Sequence, residues 1–506
     1  NVEYRIIKNM ADPNTQNYNT TYNFQPLQVE PVTSQPVDSV ASSTTTTTTK
    51  TTKISKEQIK RFGPIVLIVI GLILLVILIL LLFKPSTTPS TTTDPNKAVV
   101  LQWWGAFIDP EVIQPLIDKY KTIAPNVTIE YANKWPDLSS SESETKYKTE
   151  INRVLKLNDS VQLPDIFMVN NRWVGDYEKY LSPASNTVIT FSDFQNTYYP
   201  AVVTDFAPGS KIYGLPLWMD TLAIVYNKEM LASESISTPP TDWSQFRTLA
   251  QRLTKKSGTT ISQAGFAGGT SENVTFAFEL SNILMMQNGV TMTDSTGKPV
   301  FASDEDSLSS LNFLKDFERN ASATWNSNLK NDSATFLDED LAMMATTTYR
   351  LRDILKYNEG YSIGLNIGIS GLPQLAGQGE PIINFGDYWG NVVTLNRPNK
   401  DYAWAFVKWL NEPEQLKSIS SNVKNKEGYF GLLYPRKDMS EENKADEYLK
   451  VFNESLPYIK SWYMVNGTKV QQSFAERLGS NTINSSAISS FEKDIIDIIA
   501  AKGKLE

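Results

Sequence analysis

Hydrophobic and polar positions along this chain follow three regimes. Over residues 1–62 apolar side chains are scattered among Thr, Ser, Asn, Gln and Pro, with an unbroken threonine run at Thr44–Thr49. Such a stretch buries too little apolar surface to offset its ordering entropy, and disorder is expected. From Pro64 to Phe83 the pattern inverts: twenty residues, PIVLIVIGLILLVILILLLF, carry no charge. At about 1.5 Å per residue this run spans the roughly 30 Å hydrocarbon core of a bilayer, which predicts a transmembrane helix over 63–83. It is too long and too far from the N-terminus for a cleaved signal peptide. Lys53, Lys56, Lys60 and Arg61 precede it and only Lys84 follows closely, so the excess of positive charge places residues 1–62 in the cytoplasm and the rest outside. Residues 84–97, KPSTTPSTTTDPNK, read as a Pro/Thr/Ser tether. Met10-Ala11-Asp12-Pro13-Asn14 reads as a natural start, with residues 1–9 upstream of it.

The third regime alternates strand and helix periodicities. Val99-Val100-Leu101 predicts a strand ending at Gln102-Trp103-Trp104-Gly105. Asp109-Pro110-Glu111 predicts a helix start, with Asp as N-cap and Pro in the first turn, and Ile113, Leu116, Ile117 and Tyr120 recur at helical spacing. Val127, Ile129 and Tyr131 alternate as a strand, and Tyr147, Ile151, Val154 and Leu155 mark a helix. Ile166–Val169 predicts a buried strand. Further helices are expected around Phe246–Leu253, after Asp304, and over Tyr402–Leu410. Repeated alternation of this kind predicts α/β layers with mainly parallel sheets, whose ligands sit beyond the carboxyl ends of strands. That rule points to Trp103-Trp104, Asn170–Trp173 and Leu217–Asp220.

Composition narrows the chemistry. A chain of 506 residues exceeds one compact core, so several folding units are expected. A net charge of -8 offers no electrostatic basis for nucleic-acid binding. With no cysteine there is no disulfide, thiolate metal site, cysteine nucleophile or cysteine-linked lipid anchor. With no histidine there is no Ser-His-Asp triad, Cys-His dyad or H-E-x-x-H zinc site. Carboxylate-pair catalysis, Ser-Lys catalysis, or no catalysis remain, and no cofactor or metal is implied. Eight N-x-S/T sequons follow the tether, at Asn126, Asn158, Asn273, Asn320, Asn331, Asn453, Asn466 and Asn484; they matter only in a host that glycosylates.

Several segments, in order, resemble family 1 extracellular solute-binding proteins, the maltose-binding-like receptors of ABC importers. The opening Val100–Gly105, the helix ending near Tyr120 and Ala124–Ile129 resemble the family's start. Leu163–Phe167 is similar to its Pro-Asp-(Ile/Val) strand. Lys211–Pro216 with Ala223–Lys228 resembles its Gly-Leu-Pro to Tyr-Asn-Lys crossover, and Thr241–Phe246 its Thr-Trp helix start. Leu341–Met344 and Lys400–Phe406 resemble its Ala-Met strand and a late Lys-x-x-Ala-x-x-Phe helix. No single motif is specific, but their joint order covers roughly 98–506. The resemblance implies a two-lobed periplasmic-binding-protein type II fold, with 98–219 and 375–432 in lobe 1 and 220–374 and 433–506 in lobe 2. Crossovers are then expected near Trp218–Thr221, Leu372–Asn384 and Leu433–Lys437. It implies a non-enzymatic receptor that closes on a solute by hinge motion and delivers it to ABC permease subunits. With the apolar segment added, the expected location is the cell membrane, single-pass, with the binding domain extracellular. The retained apolar segment departs from familiar members, which carry a cleaved signal or a lipid.

Family relatives accept sugars, glycerol phosphates or polyamines. Sugars present apolar CH faces and outward hydroxyls, so a carbohydrate cleft needs aromatic platforms and planar polar side chains. Position must select among 11 Trp and 22 Tyr. The resemblance and the strand-end rule nominate Trp104, with Trp103 behind it, then Trp173 and Asp176, and Trp218 and Asp220 at the first crossover. Tyr349 and Arg350 follow the Ala-Met strand, Arg350 either clamping solute or pairing with Asp353. Asp387, Trp389 and Asn391 occupy a Gly-flanked loop after the second crossover. Trp462 and Tyr463 resemble a late aromatic that stacks on sugar. Trp243, Trp404 and Trp409 are expected in the core. Two rival functions remain: an adhesion or sensing receptor on the same fold, and a glycosidase with two carboxylates about 5–9.5 Å apart, drawn from Asp176, Asp220 and Asp387.

Overall fold

The computed structural model describes residues 94, 96–135, 141–157, 162–375, 382–480 and 483–501, all within the compact unit Pro89–Glu506. The expected cytoplasmic tail and the apolar segment 63–83 lie outside the described residues. Among the described residues no helix is long and apolar enough to cross a membrane.

Two five-stranded sheets organise the unit. The chain lays down β1 (Val99–Ala106), β2 (Val127–Trp135), β3 (Ile166–Asn170) and β4 (Gly214–Trp218) in the first sheet. It then builds the second from β5 (Ala223–Asn227), β6 (Lys255–Ser257), β7 (Thr260–Phe266), β8 (Leu341–Thr346) and β9 (Ile367–Gly371). Past β10 (Asn384–Phe385), it returns to the first sheet with β11 (Trp389–Val393), and β12 (Ile459–Lys460) pairs with β10. The strand orders are β2-β1-β3-β11-β4 and β6-β7-β8-β5-β9. Strands β3, β4, β5, β8 and β11 are buried along their whole length, as near-continuous apolar runs covered on both faces should be.

The expectation of mainly parallel sheets fails. Within the two five-stranded sheets only β1/β2, β1/β3 and β7/β8 are parallel, whereas β11 runs against β3 and β4, β5 against β8 and β9, and β6 against β7. The cause is the route of the chain. Strands β3, β4, β8 and β9 end at the gap between the sheets, while β5 and β11 begin there after passing from one sheet to the other. A strand that enters where its neighbours end must run against them.

Three passages link the sheets and brace one another. Met219 pairs with Leu433 and Thr221 with Gly386 as isolated bridges. The Thr221 hydroxyl donates to the Phe385 carbonyl at 2.9 Å, and Asn384 Nδ2 to the Leu222 carbonyl at 2.7 Å.

Helix Pro110–Ile123 buries Val112, Ile113, Leu116, Ile117 and Tyr120, the expected stripe. Asp109 precedes it but makes no side-chain capping bond; it instead pairs with Lys426 at 2.6 Å. Asp242, by contrast, accepts from the backbone N–H groups of Ser244 and Gln245 and starts helix Trp243–Leu253. Trp243, Trp404 and Trp409 are buried, as expected of core residues. Trp103 also faces the core: its indole N–H donates to Asn391 Oδ1 at 2.9 Å and its ring meets Phe406 edge-on at 5.4 Å. That bond turns Asn391 inward, and Trp389 and Asn391 lie in strand β11 rather than in the expected Gly-flanked loop, because β11 is paired on both sides by β3 and β4.

Candidate functional site

Strand register sets the site. Trp389 opens β11 and lies opposite both Asn170, the last residue of β3, and Trp218, the last of β4. These three residues stand side by side at the edge of the first sheet that faces the second. Opposite them, β8 runs into helix Thr348–Gly360, whose first turn carries Tyr349 and Arg350.

Two cavities open at this gap. One, of about 150 Å³, is lined by Trp218, Asp220, Tyr349, Arg350, Asp387 and Trp389 among others. Six of the residues nominated from sequence are thus brought to one place. The second, of about 190 Å³, shares Trp218, Asp220, Tyr349 and Asp353 with the first and adds Phe107 and Arg352.

The charged groups are held by the protein itself. Asp220 accepts from Thr221 N (2.8 Å), Thr348 N (3.0 Å), Thr348 Oγ1 (2.7 Å) and Tyr349 N (3.3 Å). It therefore fastens the first passage to the start of the Thr348 helix, using both carboxylate oxygens. Asp387 accepts from Asn170 Nδ2 at 2.6 Å and pairs with Arg172 at 3.3 Å. Arg350 donates to Ser333 Oγ at 2.7 Å and lies 4.0 Å from Asp332, which settles its nearest acid as Asp332. Asp353, lining both cavities, has its carboxyl pushed up by burial, with Lys356, Arg350 and Arg352 pulling it back.

The remaining nominees lie elsewhere. Trp104 is buried in β1 with Lys134 4.8 Å above its ring, and lines neither cavity. Trp173 forms a layer behind the cleft: it stacks on Trp135 at 6.1 Å and meets Trp389 edge-on at 5.0 Å. Asp176 pairs with Lys148 at 3.2 Å, well inside the protein. Trp462 donates to Asn282 Oδ1, and Tyr463 to Glu178 Oε2 at 3.0 Å. Both border a different, open cavity of about 590 Å³, alongside Lys211 and Asp294. Sequence reasoning missed Phe107, which lines the second cavity. It sits one residue past the end of β1, so the strand-end rule alone could have found it.

Two buried carboxyls make stability depend on pH. Burial raises Asp220 to about 7 and Asp205 to about 6, against the pull of their hydrogen bonds. A carboxyl raised on folding holds its proton more tightly in the folded chain. Its contribution is complete below the ordinary carboxylate range and is lost as pH rises through about 6 and about 7. The contribution of these two groups to the melting temperature should fall from about pH 4 to about pH 7, and Asp205→Asn should flatten the lower part of that fall, up to about pH 6. A slope that Asp205→Asn leaves unaltered would remove Asp205 as a cause.

Among the described residues no group of three or more carboxylates is placed to hold a metal ion. Two mixed α/β sheets, braced passages and an aromatic cleft at the strand ends define a two-lobed solute-binding architecture. A family profile described as bacterial extracellular solute-binding protein matches residues 116–452, and the chain belongs to that family. The maltotriose-binding protein of Pyrococcus abyssi is 23% identical over 333 residues, covering 64% of each chain, so the match spans just under two thirds of that relative. Among solved structures, the cyclic α-maltosyl-1,6-maltose binding protein of Arthrobacter globiformis superposes with a TM-score of 0.64 at 14% identity, covering 79% of this chain and 98% of that one. The sugar-binding protein MalE of Xanthomonas citri gives 0.63 at 17%, covering 79% and 97%. At such identities the structural likeness establishes the fold.

Proposed function

We propose that this chain is the membrane-anchored, extracellular receptor of an ABC importer and binds a carbohydrate in the cleft between its two sheets. The observation that carries the reading is the cleft wall: Trp218, Tyr349 and Trp389 converge at the strand ends, with planar polar groups between them. Aromatic faces suit the CH faces of a sugar and the polar groups its hydroxyls. Of the relatives named above, one is a maltotriose-binding protein, one binds cyclic α-maltosyl-1,6-maltose and one is a sugar-binding protein, which supports a carbohydrate here. A polyamine is less well served. Asp220 spends its oxygens on backbone and hydroxyl donors, Asp387 is paired with Arg172, and Asp353 lies among three cations.

In this reading lobe 1 comprises 98–219 and 375–432 around the first sheet, and lobe 2 comprises 220–374 and 433–506 around the second. The three braced passages act as the hinge. Residues 63–83 cross the membrane, with 1–62 cytoplasmic, and the closed form docks on permease subunits. Intrinsic tryptophan fluorescence of the full chain in detergent tests the reading during melting with sugars, sugar phosphates and polyamines. A ligand at a hundred times its dissociation constant adds about 2.7 kcal/mol, enough to raise the midpoint by a few degrees. A shift with one sugar class is the expected result; a shift only with polyamines would replace the carbohydrate reading.

A further inference from the structure

Phe107 combines two features that packing alone does not require. It follows β1 directly with φ at 63°, a left-handed conformation that a bulky side chain rarely adopts. Ile108 N donates to the Ala106 carbonyl at 2.8 Å, closing a three-residue turn of the rare, strained kind around it. Neighbours hold the turn in place: Phe107 N donates to the Trp135 carbonyl at 2.7 Å, and the Tyr131 hydroxyl to the Ile108 carbonyl at 2.6 Å. Strain that the surroundings over-determine clusters at ligand clamps and switch regions.

The second feature is what the strained turn does with the ring. Phe107 meets Trp389, a wall of the smaller cavity, edge-on at 4.7 Å. Phe107 itself lines the larger cavity. Its ring also lies 6.3 Å from Trp218 and 6.2 Å from Tyr349, which border both. The ring therefore lines one cavity and packs on a wall of the other, reaching from the first sheet towards the helix that follows β8. At about 150 and 190 Å³, each cavity is smaller than the roughly 300–1,000 Å³ usual for ligand pockets, while the two joined reach that range.

We propose that Phe107 sets the length of the solute: its ring divides the cleft so that a short saccharide fills one compartment, and its removal merges the two. This rests on the carbohydrate reading above. Glycine adopts a left-handed turn at no steric cost, so Phe107→Gly removes the ring without adding backbone strain. Phe107→Leu keeps apolar bulk near the backbone but loses the ring's reach.

The experiment is calorimetric titration of the full chain in detergent with linear oligosaccharides of increasing length, glucose-, mannose- and galactose-based. Wild type should favour the short members by about tenfold or more. Phe107→Gly should abolish that preference by gaining affinity for the long members, with Phe107→Leu part of the way. If Phe107→Gly fails to melt cooperatively, the Leu variant alone must still shift the ratio. Wild type that binds long and short chains equally, or a ratio unmoved in the folded variants, would overturn the role of Phe107 while leaving the receptor reading intact. A folded wild type that binds no saccharide would overturn both.

Discussion

Trp218→Ala should weaken carbohydrate binding by about a hundredfold, equivalent to about 2.7 kcal/mol. Trp218 ends β4, borders both cavities and lies 6.3 Å from Phe107. No other nominated tryptophan touches both compartments. Aromatic anchors in desolvated pockets dominate binding energies, commonly at 2 kcal/mol or more each, and a sugar face loses its platform when the indole is removed. Because Trp218 is only 8% exposed, the substitution also removes packing. Two measurements separate these effects: the melting temperature without ligand, and Trp218→Phe, which retains a flat ring and should recover most of the affinity. Binding by Trp218→Ala within threefold of wild type would place the solute elsewhere. The open cavity beside Trp462 and Tyr463 would then become the candidate.

Arg172→Ala should be the most destabilising substitution near the cleft, at about 3–5 kcal/mol, the usual result of removing one partner from a buried ion pair. Arg172 donates to Glu279 at 2.7 Å and lies 3.3 Å from Asp387, with only 11% of its side chain exposed. Glu279 is 3% exposed; burial pushes its carboxyl up and Arg172 pulls it down. Without the guanidinium, Glu279 must be neutralised or left as an unpaired buried charge. The penalty should therefore be greater at pH 8 than at pH 5, and adding Glu279→Gln to Arg172→Ala should recover part of the loss. Denaturant melts of the two single variants and the double variant measure this coupling. Additive effects would show that Arg172 acts through packing on Phe278, 5.6 Å away, rather than through charge.

Legibility of the site varied with the kind of information each residue needed. Trp218, Asp220, Tyr349, Arg350, Asp387 and Trp389 follow from the resemblance together with the strand-end rule, at strand ends or at the crossovers that the family implies, and these positions meet in space. Trp462 and Tyr463 were nominated by resemblance alone, and they border another cavity. Asp176 and Trp173 follow β3 closely, but the short helices after that strand turn them behind the cleft, against Lys148 and Trp135.

The amino-acid sequence by itself determined the strands Val99–Ala106, Val127–Trp135 and Ile166–Asn170, the core stripe of Pro110–Ile123, the helix Lys400–Leu410 and the exclusion of histidine and cysteine chemistry. Each of these depends on local periodicity, capping or composition, which neighbouring residues carry. Only the tertiary structure decided strand direction, the inward turn of Asn391, the consumption of both Asp220 oxygens by the Thr348 helix, and the reach of Phe107 between two cavities. Those outcomes depend on groups more than a hundred residues apart meeting at the braced passages. No local pattern along the chain records which distant donor or ring will be there.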